Sequence, residues 1–123
     1  MALNGGYSMR KKLSNFTQGV IHFGEIKTKR NEKKEKTGFE FIEQGFLFFN
    51  YKQIREEDQS HFDAGKATAT NLKVQTFYKN GIDKQVQKTL INDDYYEITA
   101  IDPSNDRKTM YWYLTKKESL NAI

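Results

Sequence analysis

Two histidines, His22 and His61, and a scatter of carboxylates have the best claim to chemistry in this chain. Their spacing suits no familiar reaction. Neither histidine sits in an H-x-x-x-H or H-x-E pattern, so His22 reads as a strand residue with a structural or surface role. His61 has Asp58 and Asp63 beside it, a grouping that matches no metal site with a mechanism. Asp93 and Asp94 are adjacent, and neighbouring side chains on an extended chain point to opposite faces, so they do not read as an acid–base pair. No G-x-S-x-G, P-loop or G-x-G-x-x-G sequence occurs, and Gly5-Gly6 does not lie between a strand and a helix. Cysteine is absent, which removes disulfides and thiolate ligands and suits a reducing compartment. The expectation is a protein that is not an enzyme and uses neither metal nor cofactor.

The cations point to binding instead. Residues 1–37 hold nine Lys or Arg against three Glu, so the net charge of +4 is concentrated at one end of the chain. Lys29, Arg30, Lys33, Lys34 and Lys36 crowd the stretch 27–37, which has no apolar anchor and reads as a solvated loop closed by Gly38. Phe39, Phe41, Phe46, Phe48 and Tyr51 follow at once. On one reading these aromatics are exposed and stack on bases while the cations track phosphates, as in an oligonucleotide-binding barrel. On the other they are core, because a domain with only three valines has little else to bury. The composition favours core.

The elements that must position these residues are strands. At 123 residues the chain fits one domain. No apolar run approaches the roughly 18 residues of a membrane span, and residues 1–8 lack the apolar stretch of a secretion signal. Residues 1–19 read as a flexible arm in which Met9 offers a second candidate start, 20–115 as a β domain, and 116–123 as a tail. Ile21 and Phe23 alternate with His22, and Gly24 marks a bulge. Phe39 and Phe41 share parity with Leu47, Phe49 and Tyr51, which places all five on one face of a long strand kinked at Gly45. Phe46 and Phe48 fall on the other face, so that strand is expected to be covered on both sides. Residues 54–70 break the rhythm with a short helix, Glu56, Glu57 and Asp58 in its first turn and Ala64-Gly65 at its end.

Alternation returns at Leu72, Val74, Thr76 and Tyr78, followed by the turn signal Asn80-Gly81. A short extended piece spans 86–91, and Asn92-Asp93-Asp94 turns the chain into Tyr96, Ile98 and Ala100. Asp102-Pro103-Ser104-Asn105 is the next turn. Met110, Trp112 and Leu114 then face one way, with Tyr111 and Tyr113 facing the other. The pattern predicts a mainly β fold, a small antiparallel barrel or sandwich with one short helix and long loops. A barrel is preferred, because closure covers edges that so small a sheet would otherwise expose.

The order of these features resembles a known family. Thr89-Leu90-Ile91-Asn92-Asp93-Asp94-Tyr95-Tyr96-Glu97-Ile98 through Asp102-Pro103, followed by Lys108-Thr109-Met110-Tyr111-Trp112-Tyr113-Leu114, is similar to the C-terminal hairpin of tailed-phage head–tail joining (head-closure or stopper) proteins. Upstream, the strand 72–78 running into Gly81-Ile82-Asp83 resembles that family's Thr-rich strand and Gly-Ile-Asp loop. Arg55-Glu56-Glu57 through Ala64 falls where the family has a Glu- and Ala-containing helical stretch. Together these cover residues 21–114.

The resemblance implies a structural virion protein. Copies of the barrel would form a ring below the portal or adaptor, close the DNA channel and present the surface on which the tail docks. Its partners would be further copies, the portal or adaptor ring, a tail terminator or tail-completion protein, and packaged double-stranded DNA without sequence-specific binding. No membrane is involved, the free subunit is expected to be a monomer, and the protein belongs to the virion neck after assembly in the host cytoplasm. The segment 54–70 corresponds to the channel-blocking connection of the relatives. That makes Glu56, Glu57, Asp58, His61, Asp63 and Lys66 the candidate channel-facing set, against a solvent-facing helix as the plain alternative. Lys29, Arg30, Lys33, Lys34 and Lys36 are the candidate ring or partner contacts. The alternative function is a single-stranded nucleic-acid-binding, OB-like barrel, and a third is another virion ring such as a tail-completion protein.

Overall fold

A computed structural model describes residues 16–62 and 71–117. Its strands are β1 (Gly19–Arg30), β2 (Lys36–Lys52), β3 (Asn71–Phe77), β4 (Lys88–Ile91), β5 (Asp94–Pro103) and β6 (Thr109–Lys116), with a 3-10 turn, η1 (Glu56–His61), between β2 and β3. All pairings are antiparallel, and the order β1-β2-β3-β6-β5-β4 closes on itself as a barrel. The mainly β expectation and the preference for a barrel both hold. Inward positions are filled by Ile21 and Phe23 of β1, Phe49 of β2, Val74 of β3, Ile91 of β4, Ile98 of β5, and Met110, Trp112 and Leu114 of β6. Polar groups in this core are satisfied internally: the Trp112 indole N–H donates to Thr76 Oγ1 at 2.9 Å, and the buried Thr89 hydroxyl donates to the Tyr96 carbonyl at 3.2 Å.

Turn chemistry explains the tight connections. Asn92 and Asp93 both take positive φ (51° and 69°), the two-residue geometry that suits the twist of a hairpin and that Asn and Asp tolerate best. The β5–β6 turn is held by Ser104, whose hydroxyl accepts the Lys108 and Thr109 N–H groups. Asn80-Gly81 is also a turn, with Gly81 at φ 85°. The strands on either side of it are not partners, however, because β3 lies between β2 and β6 while β4 lies between β5 and β1.

Two one-residue slips overturn the parity read from sequence. Phe23 pairs with Gly45 but Gly24 pairs with Glu43, so Gln44 is the extra residue of a bulge. Cross-strand partners share a face, and Phe41 and Phe39 pair with Ile26 and Thr28 while Phe46 and Phe48 pair with His22 and Val20. Phe39 and Phe41 therefore join Phe46 and Phe48 on the outer face, not Leu47 and Phe49 on the inner one. Among the described residues the expected cover on that face is absent: Phe46 and Phe48 are 52% and 56% exposed. Thr99 makes a second slip, so that Ala100 leaves the inward row and Ile101, paired with Trp112, packs against the core in its place. The charged stretch 27–37 is not a loop closed by Gly38. Strands run through Arg30 and resume at Lys36, leaving a turn tightened by Asn31, whose side chain accepts the Lys33 and Glu35 N–H groups.

Candidate functional site

Two features stand on the outside of the barrel. The first is a clasp. Lys73 of β3 and Tyr113 of β6 are directly opposite each other on the outer face, and η1 lies over them. Asp58 Oδ2 accepts from the Lys73 ammonium at 2.8 Å and from the Arg55 N–H at 2.9 Å, and Oδ1 accepts from the Tyr113 hydroxyl at 3.2 Å. Asp58 and Lys73 are buried, the His61 ring stacks on Tyr113 at 4.4 Å, and Phe62 meets the same ring edge-on. The Lys73 ammonium also lies 4.5 Å from the centre of the Tyr111 ring. Burial alone pushes the Asp58 carboxyl up, but the hydrogen bonds from Lys73, Arg55 and Tyr113 and the lysine charge outweigh it and hold it below the usual carboxylate value. Burial, and then the Asp58 charge, drive the Tyr113 phenol far above its ordinary range.

The acidic trio of η1 is thus split. Glu56 and Glu57 are exposed, whereas Asp58 is turned into the barrel wall with both oxygens engaged. Its carboxylate is not offered to a channel or to a metal beside His61, and His61 is half-buried against Tyr113. Asp63 and Lys66, with the expected Ala64-Gly65 stop, lie outside the described residues. Among the described residues no three His, Asp or Glu side chains converge on a point where a metal ion could sit. What the clasp does is fix the start of the β2–β3 connection on the barrel's outer surface.

The second feature is an arm. β1 is bonded to β4 only over residues 22–24, and β2 to β3 only over residues 49–52, so beyond those points the two strands form a ribbon of their own. Its outer face carries Phe39, Phe41, Ile26, Phe46 and Phe48 in one row, with Phe46 and Phe48 in edge-on contact at 5.9 Å. His22 lies 6.1 Å from Phe46 and meets Glu43 at 2.6 Å, flanking the row with a polar pair. Lys29 and Arg30 stand on β1, Lys33 and Lys34 in the turn, and Lys36 on β2 with its ammonium over the Phe39 ring at 4.3 Å. The five candidate cations are therefore brought together at the tip of the arm, separate from the clasp.

No family model matches the chain, and no curated protein matches it in sequence. Among solved structures, the chain is similar in fold to the solution structure of protein SF1141 from Shigella flexneri 2a, with a TM-score of 0.57 and 10% identity over 84% of this chain and 95% of that one. At that identity the likeness extends to the fold alone.

Sequence reading did not find Lys73 or Tyr113. The available signal was a lysine in the middle of an alternating apolar strand, where a solvent-facing role was the simpler inference. The full row was hidden for a different reason: a single inserted residue moves half a strand to the other face, and so sets the half-buried Phe39 and Phe41 in line with the exposed Phe46 and Phe48.

Proposed function

We propose that this chain is a structural subunit of a tailed-phage head–tail connector, of the head-closure kind, with no enzymatic role. One observation carries the reading. The barrel fills its own interior, yet keeps a row of phenylalanines on the outer face of β2, running from the barrel wall onto an arm that extends beyond the closed sheet. A protein that ends its work as a free monomer rarely exposes such a row, whereas a subunit awaiting neighbours needs one. The order of strands and turns resembles that of head-closure proteins, and the clasp gives the β2–β3 connection a fixed root from which it would reach the channel. Copies would form a ring below the portal or adaptor, with Glu56 and Glu57 discouraging adhesion of the passing DNA.

The test removes residues 63–70, which leaves Asp58, His61 and Phe62 of the clasp in place, in the phage that encodes the chain. Heads are expected to package DNA and then lose it, or to refuse tails. Heads that retain DNA and join tails normally would exclude the gating role, and labelling that places the protein outside the neck would exclude the connector.

The exposure of Phe46 and Phe48 beside a basic tip also supports a second reading, a single-strand nucleic-acid-binding barrel. It predicts micromolar, strongly salt-dependent oligonucleotide binding that disappears when Lys33, Lys34 and Lys36 are replaced by alanine. Absence of binding at low salt removes it.

A further inference from the structure

The arm has two open edges, and they are chemically unlike. Among the described residues, no strand pairs with residues 26–30 of β1 on the side away from β2, or with residues 37–48 of β2 on the side away from β1. Long unpaired edges are templates for another strand, and a two-stranded ribbon on its own is only marginally stable in water. The β1 edge carries Lys27, Lys29 and Arg30; the β2 edge carries Glu40 and Glu43. Lys27 and Glu40 are directly opposite within the hairpin and share one face, and both are exposed. Proline, the residue that most directly blocks edge pairing, is absent from the arm.

We propose that the β2 edge of this arm pairs with the β1 edge of the arm of a second copy, giving a sheet that runs from subunit to subunit. Three constraints select this arrangement. Arms standing side by side in the same direction place β2 of one against β1 of the next in antiparallel sense, the sense already used throughout the barrel. At equal height, Glu40 of one copy then meets Lys27 of the next. A contact between two β1 edges sets lysine against lysine, and one between two β2 edges sets glutamate against glutamate, so both symmetric alternatives are repelled. Because the two edges differ, each contact leaves one of each kind free. Addition continues until a ring closes. The phenylalanines of successive arms then lie on one face of that sheet.

This contact deepens the connector reading, which requires a ring, but it is measured on the purified chain. Since the protein has no cysteine, a single introduced thiol is unambiguous. Lys27→Cys, Lys29→Cys and Glu40→Cys are made separately. Directly opposed residues of antiparallel strands have Cα atoms about 4.5–5.5 Å apart, within disulfide range. Oxidising a mixture of Glu40→Cys and Lys27→Cys is expected to give the mixed dimer in at least fivefold excess over both like-with-like dimers, growing with concentration and shrinking in high salt, whereas Lys29→Cys, two residues out of register, should cross-link to Glu40→Cys less. Equal amounts of the three dimers, a majority of like pairs, or no cross-link in variants with native Trp112 fluorescence would overturn the proposal. Hydrogen exchange on the unsubstituted protein gives an independent reading, in which outward amides of residues 26–30 gain protection as concentration rises; protection that stays constant counts against the contact. Failure here with the protein still found in the neck removes the arm contact and spares the connector. A mixed dimer from a protein absent from the neck does the reverse.

Discussion

Asp58 and Lys73 are charged groups held out of water, so each depends on the other. Replacing Asp58 with alanine leaves a buried ammonium with aromatic neighbours and no counter-charge, a change expected to destabilise the fold by about 3–5 kcal/mol. Pairing it with Lys73→Met should recover most of that loss, as a double-mutant cycle in urea would show. The same pair contributes to stability on the acid side. The Asp58 carboxyl is depressed in the folded chain, so its contribution is complete above the unfolded value of about 3.9 and fades as pH falls through the lower folded value. Tyr113 and Tyr95 act on the alkaline side. Burial first, and neighbouring carboxylates second, raise both phenols, Tyr95 to about 12. A raised phenol contributes stability below its unfolded value of about 10 and loses it as pH climbs above. Thermal midpoints should therefore form a plateau between about pH 4 and pH 10, and Asp58→Ala should flatten its acid side. Little of this was legible beforehand. Asp58 was visible as a helix-start acid, but a partner 15 residues away leaves no local mark in a sequence.

β1 and β2 show where strand reading succeeds and where it stops. Alternation placed Val74, Thr76, Met110, Trp112 and Leu114 inward correctly, because β3 and β6 pair without interruption. The β4–β5 turn was legible too, since two consecutive positive φ values restrict the residues that fit. Bulges are harder. Gly24 and Gly45 marked the place, yet neither reveals that Gln44 is the supernumerary residue, and the face of Phe39 and Phe41 depends on that single count. Gly24 is needed there for a measurable reason. A Cβ at this position would sit 2.1 Å from the Ile42 carbonyl oxygen and 3.0 Å from Glu43 Cα, both backbone atoms that cannot swing aside. Gly24→Ala should force the bulge open and destabilise the protein by about 1–3 kcal/mol in chemical denaturation. Its effect should extend to the arm, whose outward face is set by that bulge.

The molecule divides its labour between a barrel that holds itself together and an arm whose tip, residues 27–40, makes its side-chain contacts locally. The contacts of residues 27–40 support the division: Arg30 donates to the Lys34 carbonyl, Asn31 to Glu35 atoms ties the turn, and Lys36 covers Phe39. These stay within the arm, while Trp112, Phe23 and Phe49 lock the interior. The arm can therefore be cut back at the pair Ile26–Phe41 by replacing residues 27–40 with Asn-Gly, the two-residue turn that suits a hairpin. The shortened chain should unfold in one cooperative step, with Trp112 emission shifting as in the full chain. Its midpoint should lie within about 4–8 °C of the original, the shift that about 1 kcal/mol produces in a domain of this size. The same variant should fail to assemble, and heads carrying it should fail to join tails. A folded, shortened chain that still assembles would show that the barrel wall, with Phe46 and Phe48, provides the contacts by itself. A shortened chain that no longer folds would show that the two open edges, unlike those of most hairpin extensions, are part of what closes the barrel.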